Sequence, residues 1–260
     1  MKRKLTTSFV CVLLVSLFIS STSYSQVKKQ YNLFTSSDNS SLLNNELKNV
    51  VSDVEIFELN REELNILCNN RNPEISFQIP YKNNVYNVNL ERFDVLAPNA
   101  KIVTRTAQGN QEITLDNIAV SYRGKLEGFD NTMITVTFSR DNVVGLMISG
   151  NDNFVIGQVK NKQGQETGKY ALYKESDLIA KNSFNCFADD NLSASQIENV
   201  KKAIGNQLND ATPTDLYVAE IAIEVDYATY NIYQQSVQTA TNYAISVISA
   251  VSSVYMREVN

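Results

Sequence analysis

The chain has 260 residues, 28 of them acidic and 23 basic, for a net charge of −5. Beyond the first four residues no stretch gathers its Lys and Arg, which argues against a nucleic-acid partner, since neutralising phosphates needs basic side chains clustered on one face. Histidine is absent. That excludes Ser-His-Asp and Cys-His catalysis, and any zinc site built on imidazole, within these residues.

Met1-Lys2-Arg3-Lys4 opens the chain with positive charge. An apolar run over 9–19 follows, broken only by Ser16, and Ser23 and Ser25 place small side chains where a signal peptidase reads them. The run is shorter than the roughly 20 apolar residues that a membrane-spanning helix needs. Residues 1–25 are therefore read as a cleaved export signal, with a secreted or periplasmic destination and no membrane attachment after cleavage. About 235 residues remain, enough for one large domain or slightly more. Cys11 leaves with the signal. Cys68 and Cys186 are too few for a disulfide scaffold, although one bridge between them is allowed in an oxidising compartment.

Residues 26–45 are rich in Ser and Asn and read as a mobile or loosely docked N-terminus. A short helix is expected over 46–51 and a strand over 53–58. Asn60 followed by Glu63 has capping-box spacing and predicts a helix over 61–68, with Leu64, Leu67 and Cys68 on its apolar face. Between 74 and 173 the pattern changes to period two. Residues 76–80 alternate with Phe77 and Ile79 inward; Tyr86, Val88 and Leu90 oppose Asn87 and Asn89; Ile134, Val136 and Phe138 oppose Thr135 and Thr137. Segments 143–148, 154–159 and 169–173 continue the series. Turn signals separate them at 82–84, 109–110, 140–142, 150–153 and Gly164. Short strands at this spacing predict a β-rich antiparallel sandwich or barrel over 26–190.

A polar stretch follows, with a helix expected over 194–208 and a linker at 209–214, so that 191–214 forms a helical connecting segment. Tyr217, Ala219, Ile221, Ile223 and Val225 then share one face of an expected strand, with Glu220 and Glu224 on the other. Val237, Ala240, Ala244, Val247, Ile248, Val251 and Tyr255 recur at helical spacing. A strand followed by a long helix opens an α/β unit. One such pair cannot bury both of its apolar faces alone, so 215–260 reads as the first part of a truncated domain.

The segment from Tyr217 through Asp226, with Tyr230 and the helix to Tyr255, resembles the opening of the catalytic domain in reprolysin-like zinc metalloproteases, the adamalysin branch of the metzincins. Upstream, Tyr122-Arg123-Gly124-Lys125-Leu126-Glu127-Gly128 is similar to the tyrosine–glycine strand of the reprolysin pro-domain. Residues 132–138, Gly145-Leu146-Met147-Ile148 and Phe154-Val155-Ile156 match the strands that follow it. The resemblance implies the N-terminal part of a secreted zymogen, a zinc endopeptidase precursor whose pro-region assists folding and maintains latency. Its partners would be the remainder of its own catalytic domain and, in the full-length protein, peptide substrates. The three-histidine zinc helix with its Glu base is not in this chain, which by itself should be inactive.

Cys186, in Phe184-Asn185-Cys186-Phe187-Ala188-Asp189-Asp190, stands where such precursors carry a cysteine switch. By this resemblance its thiolate would fill the open fourth position on the catalytic zinc of the full-length protein. The residue after it is Phe187, where the better-known switch motif has Gly. A buried free thiol, or a disulfide to Cys68, are the other two readings. Glu220 has a family role as one calcium ligand; an ordinary exposed strand carboxylate is its alternative. Asp189-Asp190 and Glu62-Glu63 read as solvated or capping carboxylates, since sequence neighbours diverge in a strand or helix. A secreted β-sandwich binding or adhesion module is the rival from another class, and an inhibitor acting in trans on a separate zinc protease is a third.

Overall fold

The computed structural model describes residues 28–37, 47–161, 163–179, 195, 197–199, 202 and 219–258. Most of the period-two segments become strands. In chain order these are β1 (Lys29–Tyr31), β2 (Phe34–Ser36), β3 (Val54–Leu59), β4 (Glu74–Tyr81), β5 (Asn84–Phe93), β6 (Ile102–Thr106), β7 (Gly109–Ile113), β8 (Val120–Leu126), β9 (Thr132–Phe138), β10 (Val143–Ser149), β11 (Asp152–Lys160) and β12 (Glu166–Lys174). Ten form one sheet in the order β1-β4-β5-β8-β9-β10-β11-β12-β3-β2, and β6 and β7 form a separate hairpin. The sheet is mixed: β1 runs parallel to β4, and the other pairings are antiparallel.

The β-rich expectation therefore holds; of its two architectures the sandwich is not formed, and the pairing is antiparallel except at β1. A sandwich packs two sheets face to face, whereas here one sheet curls on itself into a half-barrel. Its two edge strands are consecutive in sequence. Only Asn32 and Leu33 separate β1 from β2, so the Cα atoms of Tyr31 and Phe34 lie within about 11 Å of each other. One short segment thus ties both edges of the sheet together. Residues 29–36, expected to be loosely docked, form this seam. Tyr31, Leu33 and Phe34 are buried there, and burying three large side chains offsets the entropy of ordering a polar-flanked segment.

Inward-facing residues from nearly every strand of the sheet meet in one cluster that includes Phe57, Phe77, Leu90, Tyr122, Val136, Phe138, Ile156 and Tyr170. The Phe77 and Phe138 rings meet edge to face at 6.0 Å, and Tyr122 meets Phe138 at 5.8 Å. A first helix, α1 (Arg61–Asn70), closes one end of this interior by inserting Leu64 and Leu67, both fully buried. Its cap is the expected Asn60, whose side-chain oxygen accepts from the backbone N–H groups of Glu62 and Glu63. The reciprocal half of the capping box is absent. The Asn60 N–H donates to the Leu33 carbonyl, and the Glu63 carboxylate accepts from the Asn32 N–H. The cap thus also pins the seam.

Lys82 and Asn83 both have positive φ, 48° and 62°, which gives the two-residue hairpin between β4 and β5 its strand-compatible twist. Within the expected 46–51 helix, Leu47 is helical and residues 48–50 are turn, before Val51 bridges to Leu178. Of the helix expected over 194–208, the described residues 195, 197–199 and 202 are helical, with Lys202 and Glu198 paired one turn apart at 3.0 Å. The export signal and the 209–214 linker lie outside the described residues. Among the described residues no helix is long and apolar enough to cross a membrane.

The strand expected over 216–225 does not form in its described part. Residues 219–226 belong to no strand, and Ile221 and Ile223 are 62% and 52% exposed. An alternating segment becomes a strand only where a sheet edge offers it hydrogen bonds, and no edge of the half-barrel does so here. Two helices follow: α2 (Tyr227–Ile232), capped by the Asp226 carboxylate accepting from the Thr229 N–H at 2.7 Å, and α3 (Val237–Glu258).

Candidate functional site: the seat of the C-terminal helix

Ile134, Val136 and Phe138 of β9 face the interior, but its outward face presents Thr135 and Thr137, with Ser121 beside them on β8. All three are buried, because α3 lies across them. A polar seat selects a polar helix face. Along α3 the buried residues are Ala240, Asn242, Ile245, Ser246, Ser249 and Ser253. The stripe expected to be buried therefore faces largely the other way. Ala240 alone of its members is fully buried, while Val247, Val251 and Tyr255 are 43%, 40% and 66% exposed.

The contacts are specific. Asn242 Oδ1 accepts from the Ala119 N–H at 2.9 Å, and Gln238 Nε2 donates to the Asn117 carbonyl at 2.9 Å. Further along, the Ser121 and Thr137 hydroxyls are 3.0 Å apart and those of Ser121 and Ser249 are 2.6 Å apart. Ser249 also donates to the Ile245 carbonyl, at 2.7 Å. Each hydroxyl has a single proton, so the chain has one direction: Thr137 donates to Ser121, Ser121 to Ser249, and Ser249 to Ile245. At the foot of the helix Arg257 Nη2 donates to the Gly150 carbonyl at 3.2 Å. Here a groove of about 600 Å³ opens, lined by Arg123, Lys125, Asp130, Asn151 and Arg257 among others.

The residues singled out in the sequence are not brought together. Cys186 and Asp189-Asp190 lie outside the described residues. Glu220 is exposed in the unpaired segment, not on a strand. Glu62 and Glu63 occupy the first turn of α1, the favourable end of the helix dipole for an acid. Cys68 packs against the core from α1, as expected of a small hydrophobe. Burial pushes its thiol up to about 11, against the pull of Arg71 and Arg140. Tyr170, buried inside the sheet, is likewise raised to about 12, chiefly by loss of solvent.

Both groups are charged only when deprotonated, so below pH 9 each is neutral in the folded and unfolded states. Above that the unfolded chain loses protons first. Stability should therefore be flat up to about pH 9 and fall as the pH rises through 11 and 12. Urea unfolding across pH 7 to 12 measures this, and a Cys68→Ala variant should begin its decline later, near the ordinary tyrosine value of 10.0. Alkylation of native Cys68 at pH 7 should be far slower than in urea, because the thiolate is the nucleophile.

The polar seat itself was missed in the sequence. Its signal was present as Asn242, Ser246, Ser249 and Ser253 at three- and four-residue spacing, a second stripe on the face opposite the apolar one. Among the described residues no group of three or more Cys, Asp or Glu side chains converges as a metal site. With no His in the chain, the donor set of a catalytic zinc does not fit these residues. No family model matches the chain, and no curated protein matches it.

Proposed function

We propose that this chain is the pro-region of a secreted reprolysin-like zinc metalloprotease precursor, joined to the opening of its catalytic domain. The observation that supports this reading best is the behaviour of residues 219–258. They attach to the half-barrel by small polar contacts while Ile221, Ile223, Val247, Val251 and Tyr255 stay exposed. Apolar faces of that kind belong to an element whose main partner is not the half-barrel. In this reading the half-barrel assists folding and holds the first catalytic helix until cleavage, in 209–214 or near Lys201-Lys202, separates the two. Cys186 would supply one inhibitory thiolate ligand to zinc, and Glu220 one of the six to eight oxygens that calcium takes. No catalytic step falls to residues of this chain.

The test is to read the coding frame past Asn260. A His-Glu-x-x-His stretch with a third downstream His supports the proposal, and Cys186→Ala in the full-length precursor should then give activity before cleavage. A stop codon directly after Asn260 removes it. A secreted binding or adhesion module then takes first place, a reading favoured by the self-sufficient core within 28–179.

A further inference from the structure

We infer that α3 is a releasable element, docked on the half-barrel by an interface weak enough to open while the barrel stays folded. Three observations carry this. The buried face of the helix is mostly small or polar, with Ile245 as its one large apolar side chain, so its burial contributes little hydrophobic free energy for a 22-residue helix. Two hydroxyls in that interface, Thr135 Oγ1 and Ser253 Oγ, are buried and have no hydrogen-bond partner among the described residues. Each was hydrogen-bonded to water before docking, so docking loses that bond.

The third observation is that both lie at the same level of the interface. The helix runs antiparallel to β9, since Ser249 sits by Thr137 while Arg257 reaches Gly150, next to the Ser149–Thr132 pair. From Ser249 to Ser253 the helix descends about 6 Å. From Thr137 to Thr135 the strand descends about 7 Å. The unpaired groups thus form one weak layer between the Ser121–Thr137–Ser249 chain and the Arg257 anchor.

Nothing in the helix itself resists release. It carries Val237, Thr239, Thr241, Ile245, Val247, Ile248, Val251 and Val254, all β-branched, together with Ser246, Ser249, Ser252 and Ser253. These residues have low helix propensity, so the undocked segment should also unwind. Its backbone amides then exchange with solvent whenever the interface opens, which makes docking directly measurable. The inference stands apart from the zymogen reading: a chain that proved to be a binding module would show the same release.

The experiment is hydrogen exchange on the whole 26–260 chain, followed by mass spectrometry. Amides of 237–258 should exchange at least about tenfold faster than those of 132–138, because local openings lie well below global unfolding in free energy. Thr135→Val with Ser253→Ala, which removes both unpaired hydroxyls, should slow exchange in the helix by about tenfold and leave 132–138 unchanged. Asn242→Ala, which frees the buried Ala119 N–H, should accelerate the helix by a similar factor and again leave the barrel alone. Equal rates for helix and barrel in the unsubstituted chain would overturn the inference. So would variants that shift both regions together, or an Asn242→Ala chain whose helix exchanges as before.

Discussion

Gly124→Ala should destabilise the half-barrel by about 3 kcal/mol or more, at the upper end of what overpacking a core does. A Cβ at this position would lie 2.0 Å from the Asn89 carbonyl oxygen and 3.0 Å from Leu90 Cα. Both are backbone atoms of β5, the neighbouring strand, and cannot swing away as a side-chain tip could. Relief requires β8 to move off β5, which breaks the ladder that pairs Leu90 with Gly124 and Arg92 with Tyr122. The same shift would disturb Tyr122, whose ring is fully buried and whose hydroxyl donates to the Asn72 carbonyl at 2.9 Å. Gly157→Ala is the matched control. It also lies inside a strand, but a Cβ there meets nothing within 4 Å, and losing glycine's freedom in the unfolded chain should leave stability unchanged or raised by about 0.5 kcal/mol. Urea unfolding of both variants measures the difference. Equal midpoints would mean that β8 and β5 are not packed as described.

Phe138→Ala should cost about 3–5 kcal/mol, the range for removing a buried aromatic ring. Its ring is fully buried and touches both Phe77 and Tyr122 edge to face, and rigid strands on every side prevent collapse into the space. Thr137, one residue earlier, points to the opposite face and bonds Ser121 beneath the C-terminal helix. Thr137→Val should therefore cost the barrel less than about 1 kcal/mol, since one neutral hydrogen bond is worth about that much. Near-ultraviolet circular dichroism with urea titration separates the two. Similar losses from both would mean that the faces of β9 are not divided between barrel interior and helix seat.

The close approach of β5 at Gly124 also bears on the tyrosine–glycine pattern of the resemblance. A tyrosine two residues before a glycine on a strand has a physical meaning here. The tyrosine fills the interior and reaches Asn72 with its hydroxyl, while the glycine lets the adjacent strand's backbone come close. This is a requirement of packing, and it holds whichever function the chain proves to have.

Local chemistry was legible in the sequence because it depends on near neighbours. Asn60 capped its helix as the spacing predicted, since a cap needs only the next two amides. Alternation placed Ile134, Val136 and Phe138 together on the buried interior because successive strand residues always point to opposite faces. Closure of the sheet was not legible. It rests on Lys29–Tyr31 pairing with β4 and Phe34–Ser36 with β3, strands too short to carry a periodic signal.

The same division explains the two apolar segments near the C-terminus. Sequence alone determined that 219–225 alternates and that 237–258 carries an apolar stripe at helical spacing. Whether a segment becomes a strand, and which face a helix turns inward, depends on what the partner surface offers. The structure offers no edge to 219–225, and it offers α3 a seat of Ser121, Thr135 and Thr137, so the helix buries Asn242, Ser246, Ser249 and Ser253 together with Ala240 and Ile245, and leaves Val247 and Val251 exposed. Periodicity records what a chain is able to bury, and only the tertiary structure decides what meets it.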